Sequence, residues 1–181
     1  LNNYIEKTNE NRDKLISVFT EKRELWNEYV FLSWQWILLA IISVVIILLF
    51  IRYRKKMSTA RLLLAGFSSC ILAVFLDTLG DFYNWYDYRY DLIPGTPNLI
   101  PWDAIFIPIA VMFTLQIKPK VNPIIKAILF SGITSFVVLP FLSYSPYYYQ
   151  TNWSYFYSFL ILIFIYLVAY GLTRLDSHER L

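Results

Sequence analysis

Residues 76–103 hold five aspartates, Asp77, Asp81, Asp87, Asp91 and Asp103, among Trp85, Trp102, a series of tyrosines and three prolines, between two segments apolar enough to cross a bilayer. Asp77 and Asp81 are four residues apart and share one face of a helix, while Asp103 follows Trp102 just inside the next apolar run. An acid at that depth costs about 3 kcal/mol on insertion scales unless it is paired, wetted or protonated. Turned inward, Asp77, Asp81 and Asp103 would line one small polar pocket walled by Trp102. Two carboxylates sharing such a space would hold one proton between them or be bridged by a cation. These four residues form the candidate polar or ion-binding site. The plainer alternative places Asp77 in the headgroup region, capping a helix end or accepting from a tyrosine hydroxyl. Asp81, Asp87 and Asp91 read more simply as solvated loop acids, with Arg89 neutralising its neighbours.

Other chemistries find no footing. There is no phosphate-cradling glycine loop, no pair of Cys or His at metal-ligand spacing and no nucleophile elbow. No catalytic residue, cofactor or metal is therefore assigned. The acidic cluster lacks the fixed ligand spacing of a calcium loop. His178 stands with Asp176 and Ser177 in consecutive positions, which cannot build a relay, and is expected as an exposed tail residue. Cys70, the single cysteine, falls mid-span and forms no intrachain disulfide.

The elements that must position these acids are transmembrane helices. With 57% hydrophobic and 16% charged residues over 181 positions, the chain is far more apolar than a soluble domain, where about 25% of residues are charged. A ~30 Å hydrocarbon core takes ~20 residues at ~1.5 Å rise. Apolar runs over 33–51, 61–80, 99–117, 122–142 and 153–172 meet that measure. The expected fold class is all-α, an integral membrane bundle of five transmembrane helices with an N-terminal amphipathic helix. Its parts are an extracytoplasmic helix over 1–31, a transmembrane domain over 32–173 and a cytoplasmic tail over 174–181. In the first part Leu15, Phe19, Trp26 and Tyr29 recur at helical spacing opposite dense mixed charge. That pattern suits a helix on the membrane surface or against a partner, or a solvated extension of the first span. The first apolar run begins at Ser33 with no small-residue cleavage site after it, so a span rather than a cleavable leader is expected. On the second span Ser58 or Thr59 is the expected cap, and Ala65, Ser69 and Ala73, each four apart, form the stripe of a closely packed helix. Pro101 and Pro108 should kink or partly unwind the third span, and Lys126 should snorkel from one end of the fourth.

Orientation follows from the basic residues. Arg52, Arg54, Lys55, Lys56 and Arg61 follow the first span and Lys118, Lys120 and Lys126 the third, while the other two connections carry only Arg89. The positive-inside rule makes the first set cytoplasmic, with the N-terminus outside and the C-terminus in the cytoplasm. The basic residues of the N-terminal segment are the exception, accompanied there by acids. Trp26, Trp34, Trp36, Trp85, Trp102 and Trp153 all fall at or beyond the opposite ends of the spans. A multi-pass protein of the cell membrane is expected. The net charge of +3 gives no nucleic-acid signal, because the basic residues flank the spans. The expected partners are the lipid bilayer and a membrane protein. Three functions fit: a non-enzymatic membrane module acting as partner subunit, sensor or scaffold; a small transporter or cation- or proton-binding protein using Asp77 and Asp103; and an enzyme acting on lipid or isoprenoid.

Beside this reading stands a resemblance. The run Trp85-Tyr86-Asp87-Tyr88, then Leu92-Ile93-Pro94, Ile100-Pro101-Trp102-Asp103, Ile107-Pro108 and Met112, followed by Trp153 and Tyr157-Ser158-Phe159, resembles a family of uncharacterised small multi-pass membrane proteins. That family occurs mainly in endospore-forming Gram-positive bacteria. The similarity covers about residues 60–172 and implies a plasma-membrane protein without supplying a reaction. Members often carry an acid before the proline of the fourth span, where this chain has Leu139 before Pro140.

Overall fold

The computed structural model describes residues 2–94 and 99–175; the tail residues Asp176, Ser177 and His178 lie outside the described residues. Local chemistry sets most helix starts. Helix α1 (Asn2–Leu25) continues through a π-helical turn, Trp26–Val30, to a corner where Leu32 takes a positive φ of 60°. Helix α2 (Trp34–Tyr53) begins at Ser33, whose hydroxyl accepts from the Trp36 backbone N–H at 3.3 Å. Helix α3 (Thr59–Phe82) follows a single 3-10 turn, and Ser58, the expected cap, makes no capping hydrogen bond. Asn122 caps α5 (Pro123–Ile133), accepting from Ile124 N at 2.8 Å, and Ser154 caps α7 (Tyr155–Leu172).

Among the described residues four helices are long and apolar enough to cross a membrane: Trp34–Tyr53, Lys56–Phe82, Pro123–Tyr144 and Tyr155–Leu172. The third expected span is instead a shorter apolar helix, Pro101–Gln116, of fewer than 18 residues. Five runs were expected to cross, and by length four do. The reason lies at both ends of the short helix: a proline opens it, and Lys118, at a positive φ of 42°, turns the chain after it. It does reach between the two ends of the bundle. Asp103 faces α3 at one end, and at the other the Gln116 side chain donates to Tyr53 O at 3.3 Å and accepts from Lys55 N at 3.0 Å. Pro101, Asp103, Ile107, Pro108, Ile109, Val111 and Met112 are all buried, so this is an enclosed helix walled by its neighbours.

Neither proline-bearing helix is unwound. Ahead of Pro108 the chain widens into a π turn, Pro101–Phe106, before α4 (Ile107–Gln116), and ahead of Pro140 another, Thr134–Val138, precedes α6 (Leu139–Tyr144). Proline removes a backbone donor and its ring crowds the carbonyl four residues back, and a widened turn absorbs both defects without breaking the helix. The small-residue stripe packs as its spacing requires. Ala65, Ser69 and Ala73 are buried where α3 meets α4 and α7, and a Cβ on the adjacent Gly66 would come 2.8 Å from Met112 Sδ.

Two expectations change. Lys126 does not snorkel: its Nζ turns inward to Thr114 O at 2.8 Å, Leu115 O at 3.3 Å and Ile117 O, satisfying the orphan carbonyls at the end of α4. The N-terminal helix forms, with Leu15, Phe19 and Tyr29 exposed. The chain is also not wholly helical. Strand β1 (Tyr86–Tyr88) pairs antiparallel with β2 (Tyr148–Gln150), Asp87 opposite Tyr149, and closes one end of the bundle. A two-stranded ladder this short is marginal alone. It holds because the rings of Tyr86, Tyr88 and Tyr148 pack with Leu39 and Leu99 into the aromatic end of the bundle.

Candidate functional site

Alternation along β1 builds the site. Successive side chains of a strand face opposite sides, so Tyr86 and Tyr88 turn inward and are buried, while Asp87 turns out to an ion pair with Arg89 at 3.8 Å. The Arg89 guanidinium lies 4.3 Å over the ring of Tyr149, the outward residue of β2. That pair is half exposed and contributes little to stability.

Inside, Tyr86 Oη donates to Asp77 Oδ1 at 2.8 Å, and Tyr88 and Asp103 stand within hydrogen-bonding reach of the same carboxylate. Asp103, on the π turn of the short helix, is 1% exposed. Asp77 Oδ2 is sealed from solvent and has no hydrogen-bond partner among the described residues. The tyrosine rings form a lid: Tyr86 and Tyr88 have centroids 5.9 Å apart, and each lies 5.6 Å from Tyr148. Burial first, then the nearby Asp77 carboxylate, holds the hydroxyls of Tyr86, Tyr88 and Tyr148 above the ordinary phenol range, so all three remain protonated donors.

The lid fits because residue 80 is glycine. A Cβ there would lie 2.3 Å from Tyr86 Oη and 2.4 Å from Tyr86 Cζ, so any side chain would push the hydroxyl off Asp77. Gly80 O also accepts from Trp85 N at 2.9 Å, fixing the turn from helix into strand. Beneath the lid is a cavity of about 50 Å³ lined by Asp77, Asp103, Trp102 and the three tyrosines, with Trp153 and Ser158 beside them. One water needs roughly 10–15 Å³ of such space, whereas drug-sized ligands take about 300 Å³ or more. The cavity therefore has room for a few waters or one small cation.

Of the four residues expected at the site, Asp77, Asp103 and Trp102 line this cavity together. Asp81 does not. One helical turn beyond Asp77, it lies past the lid and is exposed, with Lys22 the nearest opposite charge. Among the described residues no group of three or more His, Cys, Asp or Glu could hold a metal ion.

Asp91 reverses the expectation of a solvated loop acid. It is 5% exposed, its Oδ1 has no hydrogen-bond partner among the described residues, and its backbone carbonyl accepts from Trp26 Nε1 at 2.7 Å. Burial pushes its carboxyl up to about 7; Lys22 opposes that shift, and Asp87 and Asp81 add to it. Arg89 pairs with Asp87 and not with this acid. Also unanticipated were the tyrosine lid and Gly80. The alternating Tyr-Asp-Tyr is the signal that could have shown the lid, since aromatic residues at period two favour a strand with one buried face.

No family model, curated protein or solved structure matches this chain.

Two outcomes follow. Gly80→Ala should lower stability by about 1–3 kcal/mol, since it both overpacks the lid and breaks the Tyr86–Asp77 hydrogen bond; detergent unfolding measures it, and a loss no greater than that of Tyr86→Phe would contradict the steric account. For Asp91, the folded state binds a proton more tightly than the unfolded chain between pH ~4 and ~7. Stability should be greatest below that window, fall as pH rises through it and level off above. Asp91→Asn should remove the decline in thermal unfolding temperature, and an unaltered pH profile in the variant would exclude Asp91 as its source.

Proposed function

We propose that this chain is a multi-pass protein of the cell membrane, N-terminus outside and C-terminus cytoplasmic, that works as a non-enzymatic module holding one shared proton or one small cation between Asp77 and Asp103. The carrying observation is the meeting of these two acids at a cavity of about 50 Å³ beneath the tyrosine lid. Two carboxylates in mutual contact cannot both stay charged without a counter-charge, and the tyrosine hydroxyls supply only neutral donors. A space of that size favours binding over turnover of an organic substrate. The resemblance over residues 60–172 accords with a small plasma-membrane protein. Helix α1, exposed along its length, gives such a module a surface for a membrane-protein partner.

The orientation proposed rests on the separation of two ends. Tyr53, Lys55 and Gln116 meet at the basic end, and Trp26, Trp36, Trp85 and Trp153 gather with the strands at the other. On this reading the short helix Pro101–Gln116 also passes through the membrane, giving five crossings. A cysteine placed at Tyr149 should react with an impermeant thiol reagent applied to intact cells, and one placed at Lys56 only after permeabilisation. The reverse pattern overturns the topology.

A second reading, transport of the bound proton or cation, is favoured by one observation. Three buried hydroxyls, Ser131, Ser135 and Tyr166, have no hydrogen-bond partner among the described residues and lie in the interior where the long helix Pro123–Tyr144 passes α7. A track of unsatisfied polar groups is what a permeating ion or water would use.

The binding reading makes one further prediction. At fixed pH, the thermal unfolding temperature of the purified protein should shift with added lithium, sodium or potassium, and Asp77→Asn should abolish that shift while leaving the protein folded. A variant that keeps the full response would remove Asp77 from the site.

A further inference from the structure

Helix α2 packs one face on the short helix, through Leu39, Ile46 and Phe50, whose ring lies 5.8 Å from that of Phe113, and is tied to the bundle by hydrogen bonds at its two ends. At the aromatic end Trp36 Nε1 donates to Leu92 O at 3.2 Å, Gln35 Nε2 to Tyr90 Oη at 3.2 Å, and Tyr147 Oη to Gln35 O at 2.9 Å. At the basic end Gln116 ties Tyr53 O and Lys55 N. Beside that packed face, a groove of about 640 Å³ runs along α2, lined also by the short helix and by α6. Leu38, Ile42 and Ile46 form one wall, and Phe106, Phe113 and Phe141 stand on the other. No charged side chain lines it.

Each way of leaving this groove empty conflicts with the structure. Water does not enter an apolar space lacking polar partners. The gap cannot close by α2 moving in, because both ends of α2 are fixed. A void would forfeit the dispersion contacts of its whole lining. Two of the helices bounding it, Trp34–Tyr53 and Pro123–Tyr144, are long and apolar enough to cross a membrane, so the medium beside the groove is hydrocarbon. The groove follows α2 from Trp34 to Leu49, a run of about 22 Å at ~1.5 Å per residue, most of a ~30 Å hydrocarbon core. Its volume lies within the roughly 300–1,000 Å³ of ligand-binding sites.

We propose that this groove is a resident lipid site, filled by one acyl chain of a bilayer glycerophospholipid with its headgroup at the mouth formed by Ser145, Pro146 and Tyr147. The absence of a charged lining residue makes the site selective for a hydrocarbon chain and tolerant of headgroup. The chain also lies against Trp102, which lines the groove and the acidic cavity alike. This inference does not depend on the proton- or cation-binding reading, since neither Asp77 nor Asp103 lines the groove.

The test uses the full chain, washed free of lipid in detergent, reconstituted in vesicles of equal parts palmitoyl-oleoyl phosphatidylethanolamine and phosphatidylglycerol, re-extracted and examined by native mass spectrometry. One phospholipid should remain on each wild-type chain. Ala110→Trp and Ile46→Trp fill the groove from opposite walls, and either, if folded, should lower that occupancy about tenfold. Wild-type protein carrying no lipid, a lipid-free dimer, or full occupancy in a folded variant overturns the proposal. Should neither variant fold, wild-type protein in vesicles of dibromostearoyl phosphatidylcholine gives the answer. The emission of Trp102, taken as the difference from Trp102→Phe, is expected to be quenched, and unquenched emission overturns the proposal.

Discussion

The constraint on which this structure turns is the placing of two carboxylates at one small cavity in the bundle. Asp77 and Asp103 come from different helices, and each needs a neighbour able to approach closely. Ala65, Ser69 and Ala73 bring α3 against α4 and α7, which sets Asp77 at the depth of Asp103. The π turn ahead of Pro108 carries Asp103 on its widened face, among the backbone groups the proline disturbs. Gly80 leaves room for a phenol ring on the helix surface, and β1 delivers that ring. A charged group in such a place costs far more unpaired than paired, so lid, turn and glycine act as one unit.

Around that unit the bundle has two dissimilar ends. The aromatic end is knit by indole and phenol hydrogen bonds to backbone carbonyls, from Trp26 to Asp91 O, Trp36 to Leu92 O and Tyr147 to Gln35 O. These bonds use the amphipathic character of Trp and Tyr, whose rings sit in an apolar layer while one polar atom reaches outward. The basic end is simpler: Lys126 caps α4 and Gln116 ties α2 to it. Between the ends contacts are dominated by close helix packing, and α2, packed on the short helix through Ile46 and Phe50, leaves a groove open beside that contact.

The helices were readable in the sequence because a long apolar run needs no knowledge of its neighbours. Asp77 and Asp103 were readable for a related reason, since an acid inside such a run must find an interior. What escaped was decided by contacts between distant segments. The pairing of Tyr86–Tyr88 with Tyr148–Gln150 joins loops about sixty residues apart, so neither half declares itself as a strand. Asp91 looks like an ordinary loop acid until Trp26 closes over its backbone. Lys126 sits where snorkelling was open to it, and only the carbonyls at the end of α4 draw it inward. Asp81 shares a helical face with Asp77, yet one more turn carries it beyond the lid and into solvent.

The central claim, that Asp77 and Asp103 act as one site sharing a proton or a cation, is tested most directly by infrared difference spectroscopy of the protein in lipid vesicles across pH and with added sodium. The account predicts a protonated-carboxyl band at neutral pH without cation that vanishes in both Asp77→Asn and Asp103→Asn, or a carboxylate band that shifts on adding sodium and is lost in the same two variants. A spectrum in which each variant removes a separate, independent signal, or in which neither alters any, would contradict it.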